Sequence, residues 1–349
     1  MSSKPHIAIV GVTGAVGQEF LRVLSQRNFP IGKLKLLASA RSAGKSVEFG
    51  GTTYRIEELS EDSFKDVDLA LFSAGSSISE KFAPIASDAG VLVVDNSSAF
   101  RQAKDVPLVV PEVNPGSIQG LQIGRGGIVA NPNCSTIIML VPVTPLHRAV
   151  GVRRMVVSTY QAASGAGAQA MAELVQQTRE VLDDKPPTCN LFPQQYAFNL
   201  FSHNSDIGPD GYNTEEVKMV RETHKIWDNT AVRITATCIR VPVMRAHAES
   251  INLEFNEPLH CQEAEEILQG APGVTVINDR QNNRFPTPLD ATGQDDILVG
   301  RIRQDISQSP GNGSPPESDR GGGIELFVCG DQLRKGAALN AVQIAELLL

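Results

Sequence analysis

Ile7-Ala8-Ile9-Val10-Gly11-Val12-Thr13-Gly14-Ala15-Val16-Gly17 decides the fold. The first four residues are apolar and mostly β-branched, so they read as a short buried strand. A glycine-spaced turn follows, and an amphipathic helix is expected over Gln18 to Gln26. Strand, glycine turn and helix form the opening of a dinucleotide-binding unit, in which backbone approaches a pyrophosphate seated on the helix N-terminus. The expected contacts are Gly11, Thr13, Gly14, Ala15 and Val16. The spacing is GxxGxxG, with Thr13 where the second glycine of the usual pattern stands. The plain alternative is a tight strand–helix turn with no ligand. Position on the first strand of the chain favours the nucleotide.

The next segments extend this unit. Leu34 to Ala38 reads as the second strand. An NAD site would place Asp or Glu at its end to hold the ribose hydroxyls. Here Ser39-Ala40-Arg41-Ser42 follows, and a guanidinium with two hydroxyls suits a 2′-phosphate. The expected cofactor is therefore NADP(H), with Ser39, Arg41 and Ser42 at the phosphate. An exposed loop arginine is the bland alternative. Val67 to Phe72 and Val91 to Val94 are further strands, the first running into Ser73 and other small residues that let a cofactor lie close. Near-continuous apolar strands separated by helical segments indicate a parallel sheet covered on both faces. Ligands on such sheets lie beyond the carboxyl ends of the strands. Arg101 and Cys134 both follow expected strand ends, which would let them meet there.

Asn131-Pro132-Asn133-Cys134-Ser135-Thr136 joins an apolar strand end, Gly127 to Ala130, to an apolar helical run, Ile137 to Val141. Cys134 thus falls where a loop becomes a helix N-terminus. Free backbone N–H groups and the helix dipole stabilise an anion there, and the thiolate is the nucleophilic form of cysteine. Asn133, Ser135 and Thr136 favour this capping geometry. A buried, inert thiol is the competing reading.

Beyond Cys134 the pattern changes. Arg153 to Tyr160, Ala231 to Val241, Ser250 to Phe255, Ile297 to Arg303 and Ile324 to Gly330 read as strands, several with period-two alternation. Helical patterns fall at Ala168 to Leu182, Thr214 to Trp227 and Cys261 to Gln269. This is a second, α+β domain on a mixed or antiparallel sheet. Ser307 to Gly323 is rich in Ser, Pro and Gly and reads as a flexible hairpin insertion. Lys335 to Leu349 reads as a helix returning to the first domain. The expected division is 1–130 with 331–349 for the dinucleotide, and 131–330 for catalysis and dimerisation.

Composition bounds the rest. The chain has 349 residues, 41% hydrophobic and 20% charged, with net charge −8. That is enough length for two domains and argues against a general affinity for nucleic acid or anionic membrane. No apolar run reaches the roughly 18 residues needed to span a bilayer. The segment before the first strand carries no signal or transit pattern. Five widely spaced cysteines (134, 189, 238, 261 and 329) show no CxxC or Cys/His metal spacing. Reduced thiols, no metal and a cytoplasmic location are expected.

Several motifs resemble one family, aspartate-β-semialdehyde dehydrogenase. They are Gly11 to Gly17, Asn96-Ser97-Ser98, Val110-Pro111-Glu112-Val113-Asn114, Asn131 to Thr136, Gln161-Ala162-Ala163-Ser164-Gly165-Ala166-Gly167, Arg240-Val241-Pro242-Val243 and Leu333 to Asn340. The resemblance runs nearly the full chain in the family's order. It implies a Rossmann-type NADP-binding domain followed by a catalytic and dimerisation domain like that of glyceraldehyde-3-phosphate dehydrogenase. It also implies a homodimer, and reduction of L-aspartyl-4-phosphate by NADPH to aspartate semialdehyde with release of phosphate. That step lies on the trunk toward lysine (through diaminopimelate), methionine, threonine and isoleucine.

By the same resemblance, Cys134 is the nucleophile, His247 the general acid/base, and Gln161 the residue that orients substrate and intermediate. Arg240 is the clamp for the substrate carboxylate, and a planar guanidinium suits that task. Arg101 and Lys218 bind phosphate, and Glu215 pairs with the substrate ammonium. Ser164, Gly165 and Asn340 are cofactor contacts. Taken without the family, Glu215 and Lys218 would read as a solvated ion pair three residues apart on a helix. His247 alone would read as structural. N-Acetyl-γ-glutamyl-phosphate reductase is the nearest rival, though it typically has Gly-Cys-Tyr where this chain has Asn133-Cys134-Ser135. A non-catalytic NADP-binding redox sensor is a rival from another class, and a sensor needs no carboxylate clamp.

Overall fold

The computed structural model describes residues 4–308 and 322–349. The chain divides into two units, Met1–Asn133 with Gly336–Leu349 and Cys134–Lys335.

In the first unit, β1 (Ile7–Val10), β2 (Leu34–Ala38), β3 (Ser46–Phe49), β4 (Thr52–Glu58), β5 (Leu69–Phe72), β6 (Leu92–Asp95) and β7 (Ile128–Ala130) form one sheet. Its order is β3-β4-β2-β1-β5-β6-β7. All pairings are parallel except the β3–β4 hairpin. Two helices, α1 (Ala15–Gln26) and α2 (Ser76–Asp88), cover opposite faces. Ile7 and Ile9 pack with Phe20 and Leu24 of α1, while Ala8 and Val10 pack with Phe82 and Ala86 of α2. That split is the two-residue period of a strand buried on both sides. The glycine turn is sterically required. A Cβ on Gly11 (φ +89°) would lie 2.3 Å from the Ser73 carbonyl oxygen, and one on Gly17 would lie 2.3 Å from the Gly11 oxygen.

The β3–β4 hairpin is absent from the sequence reading. Its strands carry few buried residues, so no apolar run marks them. Gly50 and Gly51, both at positive φ, make its turn, and a two-glycine turn of this kind was the available signal.

The second unit begins with α3 (Cys134–Val150). Then come β8 (Val152–Gln161), α4 (Ala168–Leu182), β9 (Phe201–Ser202), α5 (Thr214–Trp227), β10 (Arg233–Arg240) and β11 (His247–Phe255). α6 (Cys261–Gln269), β12 (Val274–Val276), α7 (Pro288–Ala291), β13 (Ile297–Gln304) and β14 (Ile324–Gly330) complete it. The sheet is mixed, in the order β12-β13-β14-β11-β8-β10-β9, as the sequence pattern implied. β10 runs parallel to β8 and β12 to β13, and the remaining pairs are antiparallel. The strand expected from Ser250 starts earlier, at His247. β13 and β14 pair antiparallel on either side of the Ser307 to Gly323 insertion, of which residues 309–321 lie outside the described residues. α3, α5 and α6 pack on one face of the sheet. On the other, Tyr160 and Phe327 lie 6.3 Å apart between ring centres, with Tyr160 37% exposed.

The last helix, α8 (Leu339–Glu346), belongs to the first unit and buries Leu339, Val342 and Ala345 in the α1-side core. It starts after the Lys335 expected from sequence, because a π turn occupies Arg334–Ala338. Among the described residues no helix is long and apolar enough to cross a membrane.

Candidate active site

Cys134 is the first residue of α3, so the terminal N–H groups and the positive end of the helix dipole lie at its backbone. Its neighbour Ser135 is fully buried, and the Ser135 hydroxyl accepts a 2.9 Å hydrogen bond from Gln161 Nε2. Gln161 ends β8 and also reaches Glu215 Oε1 at 3.3 Å. Glu215 lies in the first turn of α5, which Asn213 and Glu216 close as a capping box. Lys218 Nζ lies 3.0 Å from Glu215 Oε2. The side chains of Glu215 and Lys218 are 7% and 29% exposed, so this is not the solvated pair that spacing alone suggests.

Arg240 ends β10 directly opposite Gln161 on the parallel strand β8. It is buried, and burial lowers its pKa. Tyr196, Glu215 and Cys134, in that order, work the other way, each favouring the charged guanidinium when ionised. Three acceptors hold the guanidinium: Asn204 Oδ1 at 3.2 Å from Nε, His203 Nε2 at 2.7 Å from Nη2, and the Ala162 carbonyl at 3.4 Å from Nη1.

His247 opens β11. The residue before it, Ala246, is in the left-handed region at φ 71°, an uncommon state for a side chain with a Cβ. The Ala246 N–H donates to Gln332 Oε1 at 2.9 Å, which holds that turn in place. His247 Nδ1 accepts from the Ala162 backbone N–H at 3.0 Å. A backbone N–H can only donate, so the neutral ring carries its proton on Nε2. Nε2 is buried and has no hydrogen-bond partner among the described residues. Burial first, then the Arg240 charge, pushes the imidazole pKa down to about 3. The ring is thus a neutral hydrogen-bond donor at Nε2. Gly165 leaves space for it: a Cβ there would lie 2.9 Å from His247 Cε1 and 3.2 Å from Arg240 Nη1. Ser164 is buried and accepts a short hydrogen bond from Gln332 Nε2.

In the first unit, a cavity of about 470 Å³ is lined by Gly11, Thr13, Gly14, Ser39 and Ser73, together with Glu58, Leu59 and Phe82. Ala15, Val16, Arg41 and Ser42 are not among its lining residues. Arg41 is exposed and Ser42 buried. Glu58, at the end of β4, puts a carboxylate at this cavity that the sequence reading did not include. Arg101 is buried, with Nε donating to the Asn131 carbonyl at 2.9 Å and Nη2 to the Asn96 carbonyl at 2.8 Å. Asn340 commits its amide to Asn131 Oδ1 at 2.7 Å and the Val109 carbonyl at 3.0 Å.

Six expected residues therefore share hydrogen bonds, a close approach or direct electrostatic influence within the second unit: Gln161, Glu215, Lys218, Arg240, His247 and Gly165. Cys134 joins them through the Ser135 link and its influence on Arg240. His203, Asn204, Gln332 and Glu249 were not anticipated. Glu249 lies on β11 opposite Thr159 and is fully buried. Neither carboxyl oxygen completes a hydrogen bond among the described residues. Burial raises its pKa well above the usual carboxylate range.

Known proteins bear on this arrangement. The family model described as "Semialdehyde dehydrogenase, NAD binding domain" matches residues 6–121. The model described as "Semialdehyde dehydrogenase, dimerisation domain" matches residues 143–335. The aspartate-semialdehyde dehydrogenase of Synechocystis sp. is 53% identical over all of this chain and 98% of its own. That of Prochlorococcus marinus is 51% identical over 98% of this chain and 95% of its own. The crystal structure of aspartate semialdehyde dehydrogenase II from Vibrio cholerae, complexed with ASA, superposes with a TM-score of 0.92 at 45% identity. It covers 99% of this chain and 98% of that one.

Proposed function

The chain belongs to the aspartate-semialdehyde dehydrogenase family, and from that premise we propose a covalent route through Cys134 for its reaction. The reaction is the reversible reductive dephosphorylation of L-aspartyl-4-phosphate to L-aspartate 4-semialdehyde in amino-acid biosynthesis. The N-acetyl-γ-glutamyl-phosphate and sensor readings are not favoured.

Glu215 takes the substrate ammonium and Arg240 its α-carboxylate. The Cys134 thiolate, favoured by the α3 N-terminus and the Arg240 charge, attacks the acyl carbon. The carbon–oxygen bond to phosphate breaks and a thioester forms on Cys134. Arg101 and Lys218 receive the departing phosphate. When bound, a nicotinamide cofactor would supply the hydride that reduces this thioester. The His247 Nε2–H donates to the oxygen that becomes negative, and Gln161 keeps that oxygen in place. Collapse of the oxyanion releases aldehyde and returns the thiolate.

The observation that carries this reading is the double contact of Gln161, which ties Ser135 beside the nucleophile to Glu215 at the amino-acid end.

The nicotinamide cofactor fits the first-unit cavity, where a Cβ on Gly11 would collide with backbone and the first turn of α1 opens. NADP(H) is the form proposed, held by Gly11, Thr13, Gly14, Ala15, Val16 and Ser73. Ser39, Arg41 and Ser42 are proposed as contacts of the 2′-phosphate, and Ser164 and Gly165 as further cofactor contacts. Asn340 is proposed to act through Asn131 rather than by contact. The dimerisation-domain match and the half-open sheet face bearing Tyr160 and Phe327 support a homodimer built on that face. Five thiols and a reductive step suit the cytoplasm.

One assay tests the assignment. NADPH should be consumed with aspartyl phosphate and not with N-acetylglutamyl phosphate, whose acylated nitrogen offers Glu215 no charge. Comparable turnover of the two would contradict the role of Glu215.

A further inference from the structure

Arg240 is only as selective as its orientation is fixed, because a planar fork that rotates loses its match to a carboxylate. The shortest contact holding it is with His203, at 2.7 Å from Nη2. A guanidinium has donors and no acceptor, so His203 Nε2 must accept. Accepting from Nη2 at 2.7 Å selects the neutral Nδ1–H tautomer over the one in which Nδ1 accepts from the Ser205 backbone N–H at 3.3 Å. Nδ1 then donates to the Ser205 hydroxyl at 3.1 Å, and the same hydroxyl accepts from the Glu215 backbone N–H at 3.2 Å. An unbroken chain of hydrogen bonds runs from Arg240 on β10, through the loop after β9, to the first turn of α5.

We propose that His203 is a positioning residue for the amino-acid end of the substrate. As a neutral acceptor it sets the rotation of the Arg240 guanidinium, and through Ser205 it couples the carboxylate clamp to the ammonium partner Glu215. This rests on the reading of Arg240 and Glu215 given above. Protonation would replace the acceptor with a cation facing a cation. The surroundings resist it: burial first, then Arg240, hold the His203 pKa down to about 4. Lys218 adds to that and Glu215 opposes it. A ring needed only for packing would require neither a defined tautomer nor an acceptor.

The test combines kinetics in the oxidative direction with 15N NMR of the imidazole rings. Semialdehyde, phosphate and NADP+ are varied separately. His203→Ala should raise the KM for aspartate semialdehyde roughly tenfold or more, the usual effect of losing a charge-assisted bond, and leave the other two KM values nearly unchanged. His203→Gln should recover most of that loss, since its amide oxygen can accept from Nη2. Added to Arg240→Ala, His203→Ala should change little more, because both act through one contact. The wild-type spectrum should show a neutral Nδ1–H ring at pH 6, and Arg240→Ala should raise its pKa. An unchanged semialdehyde KM in His203→Ala would overturn the proposal. So would a Gln variant no better than Ala, independent losses in the double variant, or an Nε2–H ring. The wild-type spectrum needs no variant to fold. If Arg240→Ala itself spares the semialdehyde KM, the clamp reading falls and the substrate role of His203 with it, while the NMR shift still reports whether the two side chains pair.

Discussion

Adding one methyl group at Gly165 probes how tightly the reacting side chains are seated. Gly165 is not in the left-handed backbone region, so alanine is allowed there and any effect comes from the Cβ itself. That carbon would stand 2.9 Å from His247 Cε1, 3.0 Å from His247 Nε2 and 3.2 Å from Arg240 Nη1, where ordinary contact begins at 3.4 Å. The imidazole cannot simply rotate away, because Nδ1 is held by the Ala162 N–H at 3.0 Å. Overpacking of this kind costs roughly 1–3 kcal/mol. If His247 shifts to relieve it, the Nε2–H leaves its line to the substrate oxygen, and small misplacements at a reacting centre cost up to about 10²-fold in rate. Gly165→Ala should therefore lower kcat/KM for aspartate semialdehyde by roughly 10–100-fold, while the unfolding temperature falls by only a few degrees, on the order of 2–4 °C per kcal/mol. Steady-state kinetics beside thermal unfolding decide it. Wild-type kcat/KM in a folded Gly165→Ala protein would refute the geometry assigned to His247 and Arg240.

Three further outcomes follow from the same contacts. His247→Ala should reduce kcat by roughly 10²–10⁴-fold, whereas His247→Gln, whose amide can still donate, should retain more; equal losses would mean that a transferable proton, not a donor, is essential. Burial that raises the Glu249 pKa leaves a proton on the folded state that the unfolded chain gives up, so stability from this site is complete below the unfolded carboxyl pKa and is lost as pH rises through the folded one. Glu249→Gln removes that titration, and its unfolding temperature relative to wild type should increase between pH 5.5 and pH 8; a pH-independent difference would show that Glu249 is ionised in the fold. Arg41→Ala should weaken NADPH roughly tenfold or more and leave NADH nearly unchanged, with equal losses pointing to Glu58 and the ribose as the discriminating contact.

Local patterns carried much of this information. The β1 strand and its glycine turn were legible because each position there answers to backbone sterics or to a strand's period, and both are local. The cluster around Gln161, Arg240 and His247 was legible as residue types in family motifs. Its hydrogen bonds were not, because they join residues as far apart as Gln161 and Glu215. His203 is one histidine among six in the chain and has no local pattern to mark it; only the strand pairing of Phe201 with Arg240 brings it beside the guanidinium. Glu249 reads from sequence as an ordinary polar strand residue. Its burial depends on α3 packing over that face of β11, which alternation within the strand does not reveal. Glu58 was missed for a related reason, since it ends a strand with no apolar run to announce it.

The covalent step is the centre of the account, and mass spectrometry reads it directly. Wild-type protein mixed briefly with aspartyl phosphate, without reduced cofactor, should accumulate an acyl adduct on the peptide containing Cys134, and Cys134→Ala should show neither adduct nor turnover. The other four thiols serve as internal controls, with Cys238 and Cys329 buried and their pKa values pushed up by that burial. An adduct on Cys189, Cys238, Cys261 or Cys329 instead, or full activity in Cys134→Ala, would contradict the mechanism.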